Sequence, residues 1–555
     1  MSIKSVAKGT LIITIGLFLT RIIGLLYQIP ILNIIGPIGG IVLNASLIPF
    51  IFVNQLTTSG IPPALSRIMS ANDTQYKYKE NAKVMYNAQV LLTGISIVVF
   101  VVLFVFADAF SNLVYSYDPE KVSIEQVNSV RGAITNSIRI IALAALFVPQ
   151  LSLYRGILQS KSDLAPVSKS FILEQVVKVL FGLGIAYAIY ISLGQFNTNV
   201  KFDEMSAQQL NGIYTIVNFQ NLAIVLASLV TVIYIFRKAK VHSRINRYPD
   251  SKKIDPEIMK TILIVALPLI IVALDFVIFN FMDLVILDRA FTEKYATKAD
   301  ANIANNAFLV KAQKLARIPS AVVVSLEMAL IPIITSYIVK KDYKSAERTI
   351  NDSFIMLIKL LVPATVFMFI FAGPIYSLVF YNDSAPQLIE GIKSLQFSSL
   401  MMLTDIVYFP LTVLAIALKR PRYIYRAFFA GILTKLLFTY LLAYNFGVIG
   451  AALSYVLSYL VMGIILMDDV NSERKLKINF FKRQSFQRTV IAAIVMIFVS
   501  IIGSVALEYL NYREFGTIKL GLVIIFAAIL TFGLYLSVLQ IIDKKKRLID
   551  HFKVN

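Results

Sequence analysis

The sequence predicts an all-α polytopic membrane protein of fourteen transmembrane helices, arranged as two six-helix lobes followed by two C-terminal helices. Three observations carry this expectation. Apolar residues make up 57% of the 555-residue chain, charged residues 15%, and mean hydropathy is +0.74, far from the soluble average. The apolar residues fall into runs of about twenty, the length that crosses a hydrocarbon core as a helix. A repeat with a period of six runs then divides the chain in two.

The first run, Thr10 to Leu32, continues past the length of a signal-peptide core and lacks a small-residue cleavage site, so it reads as a retained helix. Six more follow: Gly40 to Ser59, Tyr86 to Phe106, Ile138 to Ile157, Val167 to Ile191, Phe219 to Phe236 and Ile262 to Ile286. The second set is Ile318 to Ile338, Phe354 to Ile375, Phe397 to Leu418, Ile424 to Tyr444, Val448 to Met467, Val490 to Ala506 and Leu520 to Ile542. Alternate connections are basic, among them "RKAKVHSRINRYPDSKK", "KKDYKSAER", "KRPRYIYR", "SERKLKINFFKR" and "DKKKR". The others, such as "YSYDPEKVSIEQ" and "YNDSAPQLIE", carry few lysines or arginines, so the positive-inside rule places both termini in the cytoplasm of a plasma-membrane protein.

The net charge of +21 therefore reports orientation, and nucleic acid is not an expected partner. Zero cysteines exclude disulfides, thiolate metal sites and cysteine nucleophiles. The two histidines, His242 and His551, sit in polar stretches, so no metal site, cofactor or catalytic centre is expected.

The repeat is visible where the third and ninth runs end. "FADAFSNLVYSYD" from Phe106 and "FAGPIYSLVFYND" from Phe371 share five of thirteen positions. An even number of spans per unit preserves orientation, giving parallel repeats related by an axis along the membrane normal. The expected organisation is an N-terminal lobe over 1–240, a C-terminal lobe over 241–470, and helices 13 and 14 with a cytoplasmic tail over 471–555. Two similar lobes suggest alternating access around a central site. The two surplus helices imply a separate task, such as contacting a lipid tail or a partner.

Charges inside the runs nominate that site. Arg21, in "LFLTRIIGLLYQIP", is the only charge between Lys8 and Arg67. At 1.5 Å per residue it lies roughly 18 Å from either end of its helix, too deep to snorkel to the headgroups. An intramembrane cation is a functional candidate, or else the partner of an acid on a neighbouring helix. Glu174 and Lys178 lie four apart with the acid first, which suits a local ion pair, or else they line the cavity. Lys435 lies deep in "GILTKLLF" and is a further cavity cation. Lys311, Lys314 and Arg317 are spaced by three, on a broad helical face that forms a cationic rim or a solvated helix start. Lys359 is close enough to its helix end to snorkel. Asp275, Asp283, Glu327 and Asp405 are candidates for coupling to protons or sodium, or for pairing with Arg21. Cations at depth, facing a basic cytoplasmic side, point to an anionic substrate that starts in the cytosol. Phosphate or diphosphate fits, because arginine gives bidentate recognition and lysine a point charge.

Several stretches resemble the lipid II flippases and the related sporulation stage V protein B-like polysaccharide exporters of the multidrug/oligosaccharidyl-lipid/polysaccharide superfamily, Gram-positive branch. They are "KGTLIITIGLFLTRIIGLLYQIP", "SGIPPALSRIMS", "VPQLSLYRGILQS" with "EQVVKV", "ALPLIIVALDFVIFNFMD" and "KLARIPSAVVVSLEMALIPIITSYIVKKDY". The resemblance implies a fourteen-helix exporter of undecaprenyl-linked precursors, with a cationic central cavity and a hydrophobic groove made by the last two helices. It places Arg21 on the family's cavity arginine, and Lys314 and Arg317 where the family carries functional charges. Tyr27, Gln28 and an uncharged second span depart from family members with further arginines, and Glu327 stands where small or apolar residues are usual.

The expected function is export of lipid II from inner to outer leaflet. Membrane lipids, coupling ions or the membrane potential, and the cell-wall synthesis machinery are candidate partners. Other undecaprenyl-linked glycans, such as teichoic acid or capsule units, are the alternative cargo. A small-cation antiporter of this fold would need an acidic cavity, from which Arg21 would repel the ligand. A membrane glycosyltransferase would need a large outer loop or clustered acids and histidines, which the chain lacks.

Overall fold

A computed structural model describes residues 3–115, 123–161, 163–193, 205–241, 248, 251–472, 476, 478–480 and 483–552. The side chains of 3–15, of 543–552, of Arg21 and Glu327, and of several neighbours of these two lie outside the description. The described residues form helices and their connections, without strands. In chain order the helices are α1 (Ile3–Thr58), α2 (Ile61–Thr74), α3 (Tyr78–Val105), α4 (Ala107–Val114), α5 (Ile124–Ala142), α6 (Val148–Ser160), α7 (Leu164–Ser192), α8 (Ala207–Lys240), α9 (Pro256–Lys294) and α10 (Lys298–Asn305). There follow α11 (Gln313–Ala316), α12 (Ala321–Val339), α13 (Tyr343–Ile370), α14 (Ala372–Val379), α15 (Ala385–Ser399), α16 (Met401–Ala417), α17 (Pro421–Phe446), α18 (Val448–Asn471), α19 (Gln484–Tyr509) and α20 (Thr517–Phe552).

Each of the fourteen apolar runs falls on helix. Among the described residues, twelve helices are long and apolar enough to cross a membrane. The first and eighth runs are not among the twelve; they fall on the start of α1 and on α12, where many side chains are outside the description. The first two runs share α1, which is two helices joined at a kink where Gly36 takes φ 62° and Pro37 follows. A positive φ costs glycine nothing, and proline cannot continue the hydrogen-bond ladder.

Local signals explain the helix starts. Ser123 and Ser206 form capping boxes with Gln126 and Gln209, satisfying otherwise orphaned N–H groups of α5 and α8. Asp255 caps α9, and Asp342 caps α13 through the Ser345 N–H at 3.1 Å. That bond, with the Ser345 hydroxyl, holds the exposed Asp342 carboxyl below its usual range. Arg237, Lys238 and Lys240 stand in the last turn of α8, where cations suit the helix dipole.

The chain forms two compact units, Met1–Asn306 and Ala307–Asn555. In the first, α1 packs on α5, α7, α8 and α9, while α2 packs on α6. Its polar interior ties helices together. Asn221 of α8 donates to Ser46 Oγ of α1 at 2.9 Å and to the Ser137 carbonyl of α5 at 3.2 Å. The Tyr27 hydroxyl of α1 donates to Gln220, whose amide donates to the Gly182 carbonyl of α7 at 2.8 Å. In the second unit α17 and α18 form a tight hairpin, and α16 packs on α12, α13 and α18. At the hairpin turn Gly447 has φ 63°, and a Cβ on Gly450 would stand 1.9 Å from the Leu442 carbonyl oxygen.

The repeat extends into the structure. One offset relates Tyr78 to Tyr343, Val105 to Ile370, Ala107 to Ala372 and Val114 to Val379, the bounds of α3 with α4 and of α13 with α14. The same offset relates Tyr76 to Lys341, both left-handed with φ 59° in the turn before those helices. The surroundings differ. Phe371 is 1% exposed because α19 and α20 cover it, with Phe367, Met496, Tyr512 and Tyr535 in one cluster. Phe106, its counterpart, is 60% exposed.

Helices α19 and α20 present apolar side chains outward, as lipid contact requires, with Phe498, Ile502, Val505, Phe526 and Ile529 exposed. The Gly450→Ala substitution is expected to push α17 from α18 and to cost about 1–3 kcal/mol, the range for overpacking, read as a lowered thermal-unfolding midpoint of the purified protein in detergent.

Candidate functional site

Two groups of buried charge stand out, one in each unit. In the first, α6 and α7 are joined by Arg155. Its Nη2 donates to Glu174 Oε2 at 2.9 Å, its Nε donates to Ser170 Oγ at 2.9 Å, and its guanidinium lies 4.0 Å from the centre of the Phe171 ring. Arg155 was missed in the sequence although it stands inside the fourth apolar run; its signal was a charge two residues from the end of that run. The expected local pair of Glu174 with Lys178 does not form. Glu174 turns across to α6, and Lys178 lies 4.9 Å from the Tyr27 ring of α1. Helical spacing brought the two residues to one face, but the neighbouring helices supplied better partners.

Arg21 itself lies on α1 between two close approaches to α7. A Cβ on Gly16 would meet Ser168 Oγ at 2.1 Å, and one on Gly24 would meet Gln175 Nε2 at 2.8 Å. The backbone thus sets Arg21 on the stretch of α1 that packs against the helix of Glu174 and Lys178, while its side chain lies outside the described residues. Asp275 and Asp283 are buried on α9 in the same unit.

In the second unit Arg317, Asp405 and Lys435 gather around tyrosines. Arg317 Nη2 is 3.6 Å from Asp405 Oδ1, and the Ser320 hydroxyl donates to Asp405 Oδ2 at 2.6 Å. The Arg317 guanidinium is 5.2 Å from the Tyr455 ring centre and 5.9 Å from that of Tyr459. Lys435 is fully buried, donates to Ser454 Oγ at 3.0 Å and stands 5.1 Å from the same Tyr455 ring. Tyr455 and Tyr459 stack at 4.9 Å, and Tyr408 meets Tyr459 edge-on at 5.1 Å. Two cations on one electron-rich ring form a preorganised positive centre with Asp405 as the counter-charge of Arg317. Glu327 belongs to α12, and its side chain lies outside the described residues.

The expected shared face of Lys311, Lys314 and Arg317 is broken. Residues Asn306–Ala312 form a π-helical turn, α11 lasts four residues, and Arg317 lies in the turn before α12. A residue step that is not 100° cannot keep an i, i+3, i+6 series aligned. Lys311 instead pairs with Asp383 at 2.5 and 2.7 Å, near the Phe380 ring and with the Tyr376 hydroxyl 3.3 Å from the same carboxylate. Burial pushes the Asp383 carboxyl up, opposed by the Lys311 charge. Lys314 is half-buried on α11. Among the described residues no group of histidines, cysteines and acids has the makings of a metal site.

Comparison with known proteins bears on this arrangement. A family model described as polysaccharide biosynthesis protein matches residues 6–338. The chain belongs to this family. A model described as MatE matches residues 311–441, in the second unit. The lipid II flippase MurJ of Bacillus subtilis (strain 168) is 23% identical over 545 residues, 95% of this chain and 94% of that one. Stage V sporulation protein B of the same organism is 25% identical over 195 residues, 35% of each chain. The solved structure of a lipid II flippase MurJ in an inward closed conformation aligns with TM-score 0.66 at 14% identity, over 95% of this chain and 98% of that one. The polysaccharide biosynthesis protein family thus includes this multi-pass helical membrane protein, in the multidrug/oligosaccharidyl-lipid/polysaccharide superfamily that the sequence resembles.

Within this family member, Glu174→Ala leaves Arg155 buried without its carboxylate and is expected to cost about 3 kcal/mol. The double substitution Arg155→Met with Glu174→Met removes both charges and should unfold closer to wild type than Glu174→Ala does, as thermal-unfolding midpoints of the purified proteins will show.

Proposed function

We propose that the protein is a flippase that exports lipid II, an undecaprenyl-diphosphate-linked peptidoglycan precursor, from the inner to the outer leaflet by alternating access. The observation that carries this reading is similarity along 95% of the chain to a relative named as a lipid II flippase. The deep cations agree with it chemically. A diphosphate entering hydrocarbon must exchange its water for fixed donors, and arginine and lysine supply them.

In this reading the chain crosses the membrane fourteen times with both termini cytoplasmic, and the bodies that rock are the lobes over 1–240 and 241–470. Arg21, Lys314, Arg317 and Lys435 bind the diphosphate, with Glu174 and Lys178 at the edge of the cavity. Arg317 is released to substrate when Asp405 is neutralised, so Asp405 serves as the counter-charge that keeps the empty site electrically balanced. Asp275, Asp283 and Glu327 are the remaining groups for coupling to H⁺, Na⁺ or the membrane potential, or for pairing with Arg21. Helices α19 and α20, apolar on their outer surfaces, hold the polyprenyl tail while the head group crosses. The protein acts as a transporter that makes and breaks no covalent bond.

A second cargo, another undecaprenyl-linked glycan, is favoured by one observation: the matching family is described by polysaccharide biosynthesis. Complementation separates the two. The wild-type chain is expected to restore growth to a strain depleted of its lipid II flippase; failure there, with rescue of a teichoic acid or capsule exporter mutant, assigns the second cargo. The Arg21→Ala variant should lose complementation while inserting at the wild-type level. Full rescue by that variant would remove Arg21 from the site.

A further inference from the structure

Within the first unit the seam between α3 and α9 opens as a groove. Val90, Leu91, Gly94, Ile95 and Val98 of α3 line it with Met259 of α9, around a volume of about 400 Å³. Leu91 and Ile95 are backed by the core cluster that contains Ile262 and Ala266, so the floor is fixed. Gly94 is exposed, and a Cβ on it would meet nothing within 4 Å. Glycine is a weak helix former, and no described neighbour requires its small size here. Asn87, one turn before Leu91, pins the mouth: its amide donates to the Lys253 carbonyl at 3.1 Å, and its Oδ1 accepts from the Asp255 N–H at 2.7 Å. The second unit uses the same device, with the Asn479 N–H donating to Asn351 Oδ1 of α13 at 2.9 Å. There two buried rings fill the seam, Phe480 stacking on Phe354 with centres 4.2 Å apart. The repeat offset relates Phe354 to Gln89 of α3, which is exposed.

We propose that the groove between α3 and α9 binds one anionic phospholipid, with an acyl chain along Val90 to Val98 and the phosphate among the lysines at the mouth. Residues 90 to 98 span about 12 Å at the helical rise, and in a bilayer the acyl chain is the group long, thin and apolar enough to lie there. Charge decides the head group. Residues 77–83 and 252–260, the two stretches joined by Asn87, carry Lys77, Lys79, Lys83, Lys252, Lys253 and Lys260 against Glu80, Asp255 and Glu257. Asp255 is engaged as the cap of α9, accepting from the Glu257 and Ile258 N–H groups. Lys83 pairs with Glu80 at 3.0 Å and Lys260 stands 4.0 Å from Glu257, and pairs at this exposure contribute little and yield to a phosphate. An anionic head group gains from each lysine near the membrane surface, whereas a zwitterionic one brings its own ammonium. The lipid then does for α3 and α9 what Phe354 and Phe480 do in the second unit. The site is separate from the deep cations and does not depend on which cargo the protein carries.

Native mass spectrometry of the full-length protein, released from detergent with equal amounts of dioleoyl phosphatidylglycerol and dioleoyl phosphatidylcholine, tests the site. One phosphatidylglycerol per chain is expected to survive collision energies that strip the other lipids, in about tenfold preference over phosphatidylcholine. Gly94→Leu fills the groove and should lower the retained fraction about fivefold. Gly184→Leu, at another exposed glycine with open space around it, on α7, should leave retention at the wild-type level. The combined substitution Lys83→Gln, Lys253→Gln and Lys260→Gln should bring the preference between the two lipids to about parity, and it decides the question if Gly94→Leu fails to fold. Phosphatidylglycerol should also raise the thermal-unfolding midpoint of the wild type and not that of Gly94→Leu. Equal retention of the two lipids by the wild type, or wild-type retention in folded Gly94→Leu, overturns the site. So does a dimer mass that Gly94→Leu abolishes, which assigns the groove to a second copy of the chain.

Discussion

Hydrocarbon offers no hydrogen bonds, and that constraint governs the rest of the structure. Every polar group carried into the bilayer has to be satisfied by the protein itself. The chain meets the constraint by inversion, with isoleucine, valine and phenylalanine on the outside of α3, α19 and α20 and asparagine, serine and tyrosine between helices. Tyr27 with Gln220, and Asn221 with Ser46 and Ser137, are the neutral form of this solution. Arg155 with Glu174, Arg317 with Asp405, and Lys311 with Asp383 are the charged form. Each charged pair joins separate elements, so it fixes which helices are neighbours.

What was legible in the sequence follows from the same physics. Runs of apolar residues located the twelve helices that, among the described residues, are long and apolar enough to cross a membrane, because length and hydropathy are local properties. The repeat at Phe106 and Phe371 was legible from five shared residues and extends to the bounds of four helices and to two left-handed turn residues. Pairing was not legible, since it depends on which helices meet. The i, i+4 spacing of Glu174 and Lys178 was sound arithmetic, yet Arg155 on α6 reached Glu174 first. The series Lys311, Lys314 and Arg317 assumed a regular helix, and a π turn followed by Pro319 does not supply one. Asp383 lies in the connection between α14 and α15, outside the apolar runs, so a search for charge inside those runs passes over it.

Arg317 and Lys435 of the second unit share one aromatic ring, whereas Arg155 and Lys178 of the first lie on separate rings, Phe171 and Tyr27. Tyr455 faces both Lys435 and Arg317 and stacks on Tyr459, which Tyr408 meets edge-on. The repeat therefore conserves the helix scaffold while the chemistry mounted on it differs between halves.

The two phenylalanines that open the repeat show what this difference does to the surface of each unit. Phe371 lies under α19 and α20, and Gly373 beside it lets Tyr512 approach, where a Cβ would stand 2.6 Å from the hydroxyl. In the first unit the counterpart of Gly373 is Asp108, and Phe106 stands open beside the exposed Val98, Val102 and Val105. One flank of the scaffold is sheathed in protein and the matching flank is bare to the acyl chains. Acyl chains therefore reach Phe106 of the first unit directly, whereas at Phe371 of the second unit they meet α19 and α20 instead.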